Sequence, residues 1–171
     1  MNPTYEKLQK CLKCVRGKVD FTPEIALVLG SGLGDYAESM KVEAVLDYKD
    51  IDGFPVSTAP GHKGRFIFGY VGDKKVVAMQ GRVHFYEGYD ICDVVLPTRL
   101  VKLMGAKTLF LTNASGGINS DFKAGDLMII TDQISQFVPS SHKVLKLIYK
   151  KKHLQFYFCI FYIYLLILDL D

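Results

Sequence analysis

The sequence predicts an α/β domain with a largely buried sheet, and three apolar segments are the basis of this prediction. Residues 24–30, 108–111 and 126–132 are short and almost entirely apolar, which is typical of strands with both faces covered. Glycine-rich turns follow the first two segments, and helical patterns separate the segments along the chain. Alternation of this kind is typical of a sheet that is covered by helices.

The first element is predicted to be an amphipathic helix. Its apolar residues recur at intervals of three and four, as on one helical face: Tyr5, Leu8, Cys11, Leu12 and Val15. Cys11 and Cys14 form a CxxC pair, but no second pair accompanies it, so we expect no metal site. Four cysteines are too few for a disulfide framework, and the charged first ten residues contain no secretory signal, so a cytoplasmic location is expected.

The middle of the chain predicts a strand, a hairpin and a helix. Residues 41–48 alternate weakly between polar and apolar and are followed by a loop. Residues 65–71 and 74–80 flank a Gly-Asp pair and indicate a β-hairpin. Residues 90–104 have helical spacing, with the first of them, an aspartate, as the expected N-cap. Pro97 is expected to kink this helix or to mark its true first turn.

The composition changes after Ser140. All 15 glycines and all six prolines lie before that point, whereas the last 31 residues are dominated by Lys, Leu, Ile, Phe and Tyr. The net charge of +3 also arises there, from five lysines and two aspartates. The remainder is neutral, so no basic surface for nucleic acid is predicted. We therefore divide the chain into a globular region, residues 1–139, and a tail, residues 140–171.

Three hypotheses account for the tail. The first is a membrane span, but the 13 consecutive apolar residues 156–168 fall short of the roughly 18 that a span requires, so a membrane is not an expected partner. The second is a buried strand or helix. The third is read-through or a frameshift in an A/T-rich genome, because the abundant residue types can all be encoded by A/T-only codons. We favour the third.

Three glycine-rich turns follow predicted strands, where α/β sheets bind their ligands. They span residues 30–34, 80–88 and 112–117. In the first turn, glycines allow the backbone to approach an anion, and Ser31 adds a hydroxyl donor.

The second turn indicates a phosphate site. If the segment is extended, the side chains of Arg82, His84 and Tyr86 lie on one side, where a guanidinium and an imidazole can both donate to a dianion. Glu87 is placed to orient or charge the histidine, and the tyrosine to contact a sugar hydroxyl. Singly, these residues have simpler explanations, such as a solvated ion pair or a surface histidine. Together they predict one phosphate site: Ser31, His62, Arg82, His84 and a backbone N–H near Ala114.

Four motifs show a family resemblance. LVLGSGLG, APGHKGR, GRVHFYEGY and TNASGGIN occur in this order, and from about Tyr5 to about Pro139 the sequence resembles the trimeric-type purine nucleoside phosphorylases. The resemblance implies a mixed, partly barrel-like sheet and reversible phosphorolysis of purine (2′-deoxy)ribonucleosides to the free base and (deoxy)ribose 1-phosphate, a reaction of purine salvage. It implies inorganic phosphate as a co-substrate and no cofactor. It also implies a homotrimer for a full-length form.

The resemblance also implies roles for individual residues. The phosphate ligands it implies are Ser31, His62, Arg82, His84 and the backbone of Ala114. Glu87 would support His84, and these two are the expected catalytic residues. Tyr86 would contact the ribose, and Ser115 would lie beside the purine.

The tail departs from the family pattern. The family uses a glutamate and an asparagine from the second half of the chain at the purine, and residues 140–171 contain neither. We therefore expect an incomplete sheet at the C-terminus, a phosphate half-site without its base half, and little turnover.

Two other functions remain open. A non-catalytic phosphate-binding fragment, attached to a membrane through the tail, is one. The other is a dinucleotide-binding oxidoreductase with Asp50 or Asp52 on a ribose, which leaves the GRVHFYEGY motif unexplained.

Overall fold

A computed structural model describes residues 3–30, 32–57, 63–116, 119–130 and 161–169. The helices are α1 (Pro3–Lys18), α2 (Ile91–Val94) and α3 (Leu96–Met104). The strands are β1 (Ile25–Leu29), β2 (Lys41–Asp47), β3 (Arg65–Val71), β4 (Lys74–Gln80), β5 (Thr108–Gly116), β6 (Leu127–Ile129) and β7 (Phe161–Asp169). Three short 3₁₀ helices span Gly34–Ser39, Tyr48–Asp50 and Phe85–Glu87.

The described strands form one mixed sheet, in the order β2-β3-β4-β1-β5-β7-β6. β1 lies between β4 and β5 and is parallel to both, whereas β2, β3 and β4 pair antiparallel. Since parallel strands point toward the same edge, the turns that follow β1 and β4 lie beside the second half of β5, which continues past its last pair with β1. We call this the carboxyl edge. The mixed α/β fold that the sequence predicts is confirmed.

One face of the sheet packs against α1 and α3. The predicted helical face of α1 is buried through Leu8, Cys11 and Val15, while Tyr5 is half exposed at the start of the helix. Of the two CxxC cysteines, Cys11 donates from Sγ to the Asp52 carbonyl and Cys14 to the Asp50 carbonyl, each at 3.5 Å. Burial raises the pKa of the Cys11 thiol, so it stays protonated and acts as a small apolar residue.

The predicted hairpin and helix breaks are present. β3 and β4 pair in register across Gly72, whose φ of +60° suits a tight turn. Asp90 Oδ1 accepts from the Cys92 N–H at 2.8 Å and caps α2. The helical region then breaks at Val95, and Pro97 lies in the first turn of α3, where its missing N–H leaves no hydrogen bond unmade.

Two strands follow the third glycine turn. β6 is shorter than the predicted segment 126–132, of which residues 131 and 132 lie outside the described residues. Within the tail, β7 pairs antiparallel with β5 and parallel with β6. The origin of the tail by read-through or frameshift stays a prediction. In the described ranges, no helix has the length and apolar character that a membrane crossing requires.

Candidate functional site

The end of β1 approaches β5 so closely that only glycine fits at position 30. A Cβ there would lie 2.5 Å from the Thr112 carbonyl oxygen. The Gly30 N–H instead donates to Thr112 Oγ1 at 3.0 Å, and the Leu33 N–H donates back to the Gly30 carbonyl at 3.1 Å. Gly32 has a φ of +81°, which non-glycine residues rarely adopt. Glycines therefore set the path of the first turn; Ser31 lies outside the described residues.

Arg82 follows β4 and lies across the carboxyl edge. Its Nη1 donates to the Thr112 carbonyl at 2.9 Å, and its Nε donates to His84 Nε2 at 3.3 Å. Burial lowers the pKa of the Arg82 guanidinium, yet an arginine keeps its charge in a protein. A partly buried cation gains from an anionic partner that forms charge-assisted hydrogen bonds with it.

Glu87 fixes the orientation of His84. Its Oε1 accepts from the His84 backbone N–H at 2.7 Å and contacts the ring Nδ1 at 2.8 Å. The hydrogen-bond network therefore assigns a hydrogen to Nδ1 and leaves Nε2 as the acceptor of the bond from Arg82. The Glu87 side chain is only 4% exposed, so water screens the attraction between its charge and the His84 ring only weakly.

The second turn is not extended as far as Tyr86, so that part of the prediction is wrong. The backbone of His84 is extended, but Phe85–Glu87 form a 3₁₀ turn that Gly88 ends with a φ of +88°. The cause is the Glu87 carboxylate, which bonds back to the His84 N–H in a capping box. Tyr86 still lies next to His84: the two rings stack with their centroids 4.7 Å apart and an angle of 16° between their planes. Tyr86 is 77% exposed.

The loop before His62 is attached to the second turn. Ser57 Oγ donates to Glu87 Oε2 at 3.2 Å. Tyr89 Oη donates to the Val56 carbonyl at 2.7 Å. The chain therefore enters the 58–62 segment from beside the turn. His62 itself lies outside the described residues.

The prediction of a third turn from residue 112 is wrong for residues 112–116, because β5 continues as a strand to Gly116 through its pairing with β7. Pairing of β5 with β1 stops at Leu111, so the following residues flank the first turn at the carboxyl edge. Ala114 lies there, opposite Ile163 of β7, and Ser115 is the next residue of the strand. The structure thus brings residues of all three predicted turns to one edge of the sheet.

An apolar cavity of about 330 Å³ lies beside the charged residues. Arg82, His84 and Tyr86 line it together with residues from β1, β4, β5, α2 and α3: Val28, Met79, Leu111, Val94, Pro97 and Thr98. An apolar pocket with a few convergent polar groups is typical of small-molecule sites. In the described part of the chain, no group of three or more His, Cys, Asp or Glu side chains is placed to hold a metal ion.

Three polar residues at this edge were not singled out from the sequence. Thr112 and Gln80 are buried and bond to the first turn, and Ser57 bonds to Glu87. A polar residue at the end of an otherwise apolar strand is the signal that identifies the first two. Ser57 has no comparable signal, because its partner is distant in sequence.

The chain resembles known proteins over most of its length. Residues 24–159 match the family model of the phosphorylase superfamily. The chain is 45% identical over 130 residues to purine nucleoside phosphorylase 1 of Bacillus subtilis, covering 76% of the chain and 48% of that protein. A crystal structure of a purine nucleoside phosphorylase with ribose-1-phosphate superimposes with a TM-score of 0.69 at 41% identity, covering 74% of the chain and 47% of that one.

A purine nucleoside phosphorylase of Schistosoma mansoni, solved with inosine, superimposes with a TM-score of 0.65 at 39% identity, covering 72% of the chain and 44% of that structure. The chain spans about half the length of the curated relatives it matches. The three predicted turns at the carboxyl edge lie within the range that the family model matches. The chain therefore belongs to the phosphorylase superfamily.

Proposed function

We propose that the protein acts in the phosphorolysis of purine (2′-deoxy)ribonucleosides to a free base and (deoxy)ribose 1-phosphate, with residues 1–139 supplying the phosphate side of the site. One observation is the main support: Arg82, His84 and Glu87 form a bonded, partly buried triad beside an apolar cavity. The names of the relatives support the reaction, and a neighbour with bound ribose-1-phosphate supports the product.

The charges of the reaction explain why such a triad is useful. As the glycosidic bond breaks, its electron pair goes to the purine and positive charge develops on the ribose. A phosphate dianion held beneath the sugar stabilises that charge, and one of its oxygens then bonds to the anomeric carbon. The purine takes up a proton and leaves. Arg82 holds the nucleophile in place, which provides the proximity that a bimolecular reaction lacks.

In this scheme His84 donates a hydrogen bond from its ring to the phosphate. Its Nε2 accepts from Arg82 in the structure, so donation to phosphate from Nε2 requires a second hydrogen on the ring. Glu87, bonded to Nδ1, balances the charge of that imidazolium. We therefore propose His84 and Glu87 as the catalytic pair, with Glu87 acting through His84.

The remaining assignments extend the same proposal. Tyr86 is exposed and stacked on His84, which supports contact of its hydroxyl with a ribose. Ser31, His62 and the Ala114 backbone are proposed as further phosphate ligands, and Ser115 as the neighbour of the purine. Inorganic phosphate is the co-substrate and no cofactor is needed. A homotrimer is proposed for a full-length form, and the cytoplasm as its location.

Ribose 1-phosphate binding to the purified 171-residue chain tests the proposal. Calorimetric titration should show saturable binding that inorganic phosphate reverses by competition, because both ligands present the same phosphate group. Absence of binding, or binding that phosphate does not displace, would contradict the proposed site.

A turnover assay tests the contribution of the tail. We expect the 171-residue chain to release hypoxanthine from inosine and phosphate at close to the background rate, because residues 140–171 contain no glutamate or asparagine for the purine. Robust turnover would contradict this expectation while supporting the reaction.

A further inference from the structure

We infer that two buried side chains, Thr112 and Gln80, are positioning residues that hold the two ends of the 30–34 turn for phosphate binding. This inference rests on the proposed function. β1 lies between β4 and β5, and each neighbour supplies one polar side chain at the carboxyl edge. The chain leaves β1 between these two side chains.

Thr112 holds the start of the turn. Its Oγ1 accepts from the Gly30 N–H at 3.0 Å and donates to the Val28 carbonyl at 2.9 Å, so both functions of the hydroxyl are used. Its own carbonyl accepts from Arg82 Nη1 at 2.9 Å. One residue therefore fixes the first turn relative to the guanidinium of the second. It is 7% exposed, so water does not readily replace these bonds.

Gln80 holds the end of the turn. Its Nε2 donates to the Gly34 carbonyl at 2.8 Å, and its Oε1 accepts from Arg65 Nε at 2.7 Å. The side chain is 2% exposed, and Arg65 fixes which end of the amide faces Gly34. Gln80 is also two residues before Arg82, so it connects the same two turns from the opposite side of β1.

Thr112 and Gln80 are both buried, which is unusual for polar side chains. Measured over the whole residue, three polar or charged residues are buried among the described residues, Gln80, Arg99 and Thr112, and two of them bond to the glycine turn. Apolar side chains of similar size, valine for Thr112 and leucine for Gln80, would fill this space and need no hydrogen-bond partners of their own. Thr112 and Gln80 instead restrain the ends of a turn whose glycines would otherwise be free to adopt several conformations. An ordered turn binds an anion without the entropic cost of ordering at the moment of binding.

The test compares Thr112→Val with Thr112→Ser in the 171-residue chain. The valine keeps the shape and removes the hydroxyl, whereas the serine keeps the hydroxyl. We expect Thr112→Val to weaken inorganic phosphate binding about tenfold, with Thr112→Ser recovering most of that loss. Gln80→Met, which keeps the length of the side chain but has no amide, should weaken binding to a similar degree.

Amide hydrogen exchange separates positioning from general stability. The Gly30 N–H should exchange about tenfold or more faster in Thr112→Val than in Thr112→Ser, while amides in the centre of β3 and β4 change equally in both. Equal phosphate affinity in the valine and serine variants, or unchanged Gly30 exchange in the valine variant, would overturn the inference. A wild-type chain that binds no phosphate would contradict the proposed function, and Gly30 exchange would then still decide whether Thr112 holds the turn.

Discussion

A single carboxylate oxygen organises the turn after β4. Glu87 Oε1 receives both the backbone N–H and the ring Nδ1 of His84, and Ser57 bonds to the other oxygen. All of these contacts lie around a side chain that is almost fully buried. Removing the carboxylate would take away the acceptor of the partly buried His84 backbone N–H, and losing such a hydrogen bond is costly.

Replacing this carboxylate should therefore destabilise the chain. We expect Glu87→Ala to lower the free energy of unfolding by about 1–3 kcal/mol, measured by urea denaturation. Glu87→Gln should cost less, since its amide oxygen still accepts a hydrogen bond. Equally small losses in both variants would mean that the observed contacts do not hold the turn.

Two glycines make a matched test of the close approach between β1 and β5. Gly30→Ala places a Cβ 2.5 Å from the Thr112 carbonyl oxygen, which is backbone and has little room to move, so we expect a clear loss of stability. Gly17→Ala, in α1, meets nothing within 4 Å and should stabilise by about 0.5–1 kcal/mol. Thermal unfolding of both variants measures the contrast; a Gly30→Ala chain as stable as wild type would contradict the packing described.

Elements that depend on local pattern were predictable from the sequence. The hairpin of β3 and β4 and the capped start of α2 follow from turn and cap residues close to them in the chain. The 3₁₀ turn at Phe85–Glu87 was not, because apolar periodicity does not register a carboxylate that bonds to the backbone three residues earlier. The candidate site residues were singled out as motifs. Thr112 and Gln80 have a weaker local signal, a polar residue after an apolar run, and only the strand order shows that both bond to the first turn.

An ion cluster joins the 3₁₀ helix Gly34–Ser39 to the start of β3. Glu38 pairs with Lys63 and lies 3.3 Å from Arg65 Nη2. The hydrogen bond from Lys63, with a second from Gln80, holds the pKa of Glu38 below its ordinary value. The cluster therefore connects the 3₁₀ helix that follows the first turn to Lys63, the residue after His62 in the chain.

The lowered pKa gives a defined pH dependence. Folding favours the ionised carboxylate, so the stabilisation is fully present above the unfolded glutamate pKa of about 4.3 and is lost as pH falls through the folded value. Glu38→Gln should therefore have a lower thermal midpoint than wild type at about pH 7, and the difference should shrink at about pH 3. Glu38 is exposed, so the effect should be small and should decrease with salt.

The matched control for this prediction is Glu43→Gln in β2. Glu43 is similarly exposed and lies 3.8 Å from Lys41. A pH-dependent difference of the same size in both variants would show that general charge, not the Glu38 cluster, is responsible.

At the scale of the whole molecule, the parallel arrangement of β4, β1 and β5 brings the candidate site residues together. β1 and β4 end beside residues 112–116 of β5, which continue past the last pair with β1, so the first two turns meet this part of β5 although the three segments are more than 20 residues apart in sequence. The sequence predicted the first two turns at this edge, since each follows an apolar strand, but it placed the end of β5 too early. It did not predict the strand order or the position of β7, because pairing partners depend on contacts distant in the chain.

We propose that this edge is a phosphate site in which Arg82 is the principal cation. Titration of inorganic phosphate into the 171-residue chain tests it, with Arg82→Gln compared against Arg16→Gln, an exposed arginine of α1 that bonds to the Leu103 carbonyl. We predict saturable binding that Arg16→Gln retains and that Arg82→Gln weakens about 10- to 100-fold, as expected for a lost charge-assisted hydrogen bond. Equal affinity in the two variants, or no saturable binding by wild type, would contradict the account.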